Sequence, residues 1–222
     1  MLHDAMLVAG KDLRLEWRSR VTTNQVAPFA LLVLVLFAFA LDPDRGILDR
    51  ATAGLYWVAV LFAALLALQR AFAVEAADGN RDALRLSALD PAGIFLGKAG
   101  AIALELLALE VLLAVGVTVL YGTSLQGWGL LVLTCLVATA GLSAAGSLYG
   151  VLAAGLRVRE TLLPLLLLPV VAPVLIAATR SFEAALSGAT ADGWPWIELL
   201  CTFAVIYLAF GVLAFGSLLE ES

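Results

Sequence analysis

The residues of this chain that have chemistry to offer are few and scattered. Its one histidine is His3. Its two cysteines, Cys135 and Cys201, lie far apart inside apolar runs, with no CxxC and no CxxCH. A thiol in such a run reads as a small hydrophobe, not as half of a disulfide or a haem attachment point. No HExxH zinc pattern and no G-x-S-x-G elbow occurs, so a membrane-embedded hydrolase has nothing to work with. Haem iron takes His, Cys, Met or Tyr. The methionines are Met1 and Met6, which rules out a His or Met ligand deep in the membrane. Tyrosines stay open in principle, and aromatics in apolar runs read more simply as packing. Gly97-Lys98 resembles the end of a phosphate-binding loop and fails as one. That loop needs G-x-x-x-x-G-K-[ST]; here Ala92 holds the first glycine position and Ala99 follows the lysine. The expectation is a chain with no catalytic residue, no metal, no cofactor and no ATP site of its own.

Two carboxylates stand out instead. Glu105 and Glu110 interrupt an otherwise apolar run that begins after Lys98. At 1.5 Å per residue they lie about 10 Å and about 18 Å along a helix from that lysine, which puts Glu110 near mid-membrane. An intramembrane acid is costly and points to function. The two are about 140° apart on a helical wheel, so they do not make a paired-carboxylate site. Two readings of them stand: a functional acid, or an acid bonded to a partner in a helix interface.

The elements that hold these residues follow from composition. Of 222 residues, 63% are hydrophobic and 14% charged, against about half and a quarter in soluble domains. Roughly 20 apolar residues make a membrane span, and six candidates are present: 21–41, 51–74, 94–120, 127–156, 161–179 and 197–219. A net charge of −5 gives no reason to expect nucleic acid. If the N-terminus is cytoplasmic, ten Lys and Arg residues fall on the inner side and only Arg45, Arg50 and Arg180 on the outer. That is a positive-inside bias, with both ends in the cytoplasm. The expected fold is an all-α integral membrane protein, one transmembrane domain over 1–222.

Several shorter patterns refine this. In residues 1–20, Leu2, Met6, Ala9, Leu13 and Trp17 recur on one helical face, with Lys11, Arg14 and Arg18 opposite. This suits an amphipathic helix lying in the lipid interface. Gly146 and Gly150 form a GxxxG that lets helices approach closely, within one chain or between two. Pro169 and Pro173 lie deep in the fifth span and are hinge candidates, or static kinks. Trp194 and Trp196 mark an aromatic belt at the outer end of the sixth span, or contact an outer-face partner.

Residues 75–93 are the one long polar island. Gly79 suits the end of the second helix, and Asp90-Pro91 suits the start of the third. Between them Leu84 and Ala88 share a face, with Arg81 and Arg85 on another. Two protruding helices with a short amphipathic element between them suit docking into a groove on a soluble protein.

The island, with Glu75, Asp78-Gly79, Leu84, Leu86, Ser87, Pro91 and Gly97-Lys98, resembles the cytoplasmic loop of exporter-type ABC permeases. It has Arg81-Asp82 where Leu-Glu is common. Together with Arg159-Glu160, Pro164, Pro169 and Pro173 in the fifth span and Lys11-Asp12-Leu-Arg14-Leu-Glu16 near the start, it is similar over essentially the whole chain to the haem exporter protein B family. That resemblance implies a type V exporter-type permease fold and a bacterial inner-membrane subunit of the cytochrome c maturation system. It implies ATP on a partner ATPase, haem handled by the complex, and a second copy of the chain. It also implies a neighbouring haem-handling membrane subunit and a periplasmic haem chaperone. It makes Asp78, Gly79, Asp82, Leu84, Arg85 and Leu86 the expected ATPase-coupling residues. The rival expectations are a permease of the same fold for a drug, lipid or glycan, and a non-transporting membrane scaffold.

Overall fold

A computed structural model describes residues 1–20, 22–41, 45–76, 89–154 and 159–221. The described residues form helices and short connections, without a strand. We number the helices α1 (Leu2–Ser19), α2 (Ala27–Ala40), α3 (Arg45–Ala76), α4 (Pro91–Tyr121), α5 (Trp128–Ala154), α6 (Arg159–Leu186) and α7 (Thr190–Glu221).

Local chemistry sets the breaks. α1 closes on Arg20, which takes a left-handed conformation (φ 51°) and donates its N–H to the Glu16 carbonyl. The Thr22 N–H, which follows, is held by Glu16 Oε1 at 2.6 Å. The chain then makes a π-helical turn, Thr22–Val26, before α2. The turn falls where Pro28 withholds the N–H that an α-helix would give to the Asn24 carbonyl. Asp90 caps α4, accepting from the Ala92 N–H at 3.1 Å, with Pro91 in the first position, as the Asp90-Pro91 pair predicts. Gly122 (φ 68°) ends α4.

Five helices, α3 to α7, are each long and apolar enough to cross a membrane. The 5 residues of the π turn and the 14 of α2 reach about 28 Å together at 1.5 Å per residue, close to the roughly 30 Å hydrocarbon thickness. With α1 they form a bent pair that brings the candidate crossings to six if it counts as one span. α1 meets this segment at a bend of 54°. α6 runs past 179 to Leu186, and α7 begins at Thr190, seven residues ahead of the apolar run. Arg180 pairs with Glu183 at 3.1 Å one turn on, and Ser181 and Phe182 are buried. Charged residues there extend the helix beyond the hydrocarbon instead of ending it.

α3 and α5 are the most buried of the spanning helices, and α4 packs against α1, α2, α3, α5 and α7. The interior is tight and partly hydroxylic. Tyr56 stacks on Phe182 with centroids 4.5 Å apart, and Trp57 meets both edge-on. Thr134 donates to the Leu130 carbonyl at 2.7 Å and lies 2.7 Å from the Ser181 hydroxyl. The outside is oily: Phe29, Leu36 and Phe39 on α2 and Ile206, Phe210 and Leu213 on α7 are exposed. Hydroxyls inside and hydrocarbon outside is the arrangement a bilayer demands.

Candidate functional site

The ATPase-coupling residues expected from sequence, Asp78, Gly79, Asp82, Leu84, Arg85 and Leu86, lie outside the described residues. The two helices that carry their segment are described, and α1 bridges them. α1 has three faces, not two. Its apolar residues Leu2, Met6 and Trp17 are exposed, as a lipid-facing side requires. Lys11, Arg14 and Arg18 are also exposed. The third face, Asp4, Val8, Asp12 and Glu16 at four-residue spacing, packs on α4 and reaches α3.

That third face makes specific bonds at both roots of the island. On the α3 side, Arg70 lies 3.3 Å from Glu16 Oε2 through Nε, and its Nη2 donates to Ser19 Oγ at 2.6 Å. On the α4 side, Lys98 Nζ lies 3.6 Å from Asp12 Oδ2 and 5.1 Å from the Phe72 ring centroid. The Asp90 N–H points to Asp4 Oδ2 at 3.4 Å. Lys98 is only 2% exposed, so water screens its attraction to Asp12 poorly. α4 starts at Pro91, ahead of Gly97-Lys98, and these two residues are the bed on which α1 lies.

Two glycines make that bed flat. A Cβ at Gly93 would sit 2.8 Å from the Met1 carbonyl oxygen, and one at Gly97 would sit 2.7 Å from the Ala5 carbonyl oxygen and from Val8 Cβ. Both contacts are closer than side chains tolerate. G-x-x-x-G at 93–97 and the acids of α1 were available signals in the sequence. They were hidden by the more conspicuous glycine pair at 146 and 150 and by the basic stripe.

The two intramembrane acids go to different places. Glu105 is half-buried and lines a small cleft with Lys11, Asp12, Glu16 and Arg70, so it belongs to the α1 contact. Glu110 is 2% exposed. The Thr139 hydroxyl of α5 donates to its Oε1, and the Tyr56 hydroxyl donates to its backbone carbonyl at 3.1 Å. Its Oε2 has no hydrogen-bond partner.

A family model described as CcmB protein matches residues 3–222. The chain belongs to the CcmB family. It is 35% identical over 175 residues to the heme exporter protein B of Haemophilus influenzae, covering 79% of each chain. It is 30% identical over 209 residues to that of Pseudomonas aeruginosa, covering 94% of each. With the protein of that name from Paracoccus denitrificans it shares 33% over 183 residues, 81% of this chain and 82% of the relative. Family and helices together make it a multi-pass inner-membrane protein.

Within this CcmB-family chain the remaining sequence candidates fall as follows. Gly146 faces Leu68 and Gly150 faces Phe72, where added Cβ atoms would lie 2.4 Å and 2.1 Å from the nearest side-chain carbons. The α5 pair thus packs on α3 of the same chain. Pro169 and Pro173 sit on the exposed side of α6 while Leu167, Val171 and Val174 point inward, and the helix continues through both. Trp194 is exposed, and Trp196 packs partly against the core. Among the described residues no group of His, Cys, Asp and Glu has metal-binding geometry.

Proposed function

We propose that this chain is the permease subunit of an ABC transporter complex for haem export in cytochrome c maturation, with an exporter-type fold and both termini in the cytoplasm. It pairs with a second copy of itself. A cytoplasmic ATPase docks on the loop 75–93 and supplies the energy, and ATP stays on that partner. The conformational change leads to release of a haem-loaded periplasmic chaperone, with haem handled by the complex and a neighbouring membrane subunit. Asp78, Gly79, Asp82, Leu84, Arg85 and Leu86 are the ATPase-coupling residues. Pro169 and Pro173 are the hinge residues of α6, and Trp194 and Trp196 meet an outer-face partner.

The observation that carries the reading is the match of residues 3–222 to the CcmB family, whose relatives bear the name heme exporter protein B. The bridging by α1 gives it a mechanism. A partner that binds 75–93 differently with and without nucleotide shifts α3 and α4 relative to each other, and only such differential binding moves anything. Because α1 holds both helices, it transmits that shift along the membrane surface. The test is a deletion strain. Loss of c-type cytochromes, restored by this chain, supports the assignment; normal cytochromes with a defect in drug, lipid or glycan export overturns it.

A further inference from the structure

A cavity that the coupling mechanism leaves unused opens sideways from the α4–α5 seam. It measures about 560 Å³ and is walled by apolar side chains, with Tyr56, Glu110, Cys135 and Phe182 among its lining. Its rim residues Val111, Val115 and Val132 are more than half exposed, so in a bilayer it opens into the lipid. Trp128 stands at the loop end of the groove. Pockets of this size, mostly apolar with a few polar groups, take drug-sized ligands.

The polar group is the informative one. Glu110 Oε1 is satisfied by Thr139, but Oε2 is buried and makes no hydrogen bond of good geometry, with only the Cys135 thiol, a weak donor, beside the carboxyl. A carboxyl oxygen left so inside a membrane is unfavourable, since no water is at hand. Cys135 lines the same wall, its Sγ 3.6 Å from the Tyr56 hydroxyl. Oε2 is itself covered, so a ligand reaches it with a side-chain shift at that wall.

We infer that this cavity is a binding site for a lipid-soluble molecule with an apolar, ring-sized body and one O–H or N–H donor, which enters from the bilayer and donates to Glu110. The aromatic walls suit a flat body. An ammonium donor adds charge attraction to the carboxylate; a hydroxyl donor supplies the hydrogen bond alone. This site stands independently of the export reading, because it rests on α4 and α5 and not on the island.

The test uses the full chain in lipid nanodiscs and three matched probes: butylpyrene, pyrenebutanol and pyrenebutylamine. Binding is read by energy transfer from tryptophan, with empty nanodiscs subtracted. At least one donor-bearing probe binds about tenfold tighter than butylpyrene, the worth of one good hydrogen bond. Preference for both the alcohol and the amine shows recognition of the donor; preference for the amine alone shows recognition of its charge. Glu110→Leu abolishes the preference, and Ala114→Phe, which fills the cavity without touching the acid, weakens all specific binding. Glu110→Gln keeps the shape and removes the amine's charge advantage, so it serves if the leucine variant fails to fold. Equal binding of the three probes, or a donor preference that survives both Glu110 variants, overturns the inference.

Discussion

Replacing Gly97 with alanine is the sharpest perturbation of the α1 bridge. The new methyl carbon would start 2.7 Å from the Ala5 carbonyl oxygen and 2.7 Å from Val8 Cβ, and contacts under 3.0 Å are essentially unknown for real Cβ atoms. Backbone is on the other side, so no side chain can swing away. α1 must lift by about 0.5 Å, which stretches its bonds to Lys98 and Arg70 as well. Overpacking of this kind costs about 1–3 kcal/mol. Alanine also favours the helix by about 1 kcal/mol over glycine, and that gain must be separated from the clash. Gly100 allows it: a Cβ there meets nothing within 4 Å, so Gly100→Ala takes the helical gain alone. The difference between the two variants then isolates the clash at about 1–3 kcal/mol, or roughly 5- to 150-fold. Hydrogen exchange of the α1 amides in nanodiscs reads it directly. Exchange in Gly97→Ala should exceed that in Gly100→Ala by this factor. Equal exchange in the two variants would refute the bridge.

Three further outcomes follow from the packing. Tyr121→Phe removes the hydroxyl that donates to the Leu34 carbonyl at 3.0 Å; it should cost about 1 kcal/mol and lower the melting midpoint by about 2–4 °C, and an unchanged midpoint would show the bond is not made. Gly150→Leu drives side chain into Phe72 and should cost about 3 kcal/mol, with Phe72→Ala restoring part of it in a thermal melt. Glu16→Arg and Arg70→Glu should each loosen α1 by hydrogen exchange, while the double exchange recovers part of the protection through a coupling of about 0.5–3 kcal/mol. Recovery stays partial because arginine at 16 cannot accept from the Thr22 N–H; strict additivity would deny the pair any role.

The membrane core was legible because a bilayer imposes a simple rule: some twenty apolar residues in a row. The helix ends were not. α6 and α7 run on through Arg180, Glu183 and Asp192, where the apolar signal stops but helical hydrogen bonding does not. The Asp90-Pro91 start was legible because capping is local chemistry. α1 was read with two faces because its basic and aromatic stripes dominate; its acids only gain meaning from Lys98 and Arg70, which arrive from other helices. Glu105 and Glu110 were separable by helical angle alone. What each touches was not, since Thr139, Tyr56 and Arg70 come from α5 and α3. The lateral cavity had no sequence signal, because its walls are drawn from four helices.

The central proposal is that a partner ATPase drives this chain through residues 75–93, and nucleotide turnover of the purified complex tests it most directly. The account predicts that the chain copurifies with an ATPase whose turnover it alters, and that Leu84→Asp abolishes both the association and the maturation of c-type cytochromes. Normal copurification, turnover and cytochrome maturation with Leu84→Asp in place would contradict it.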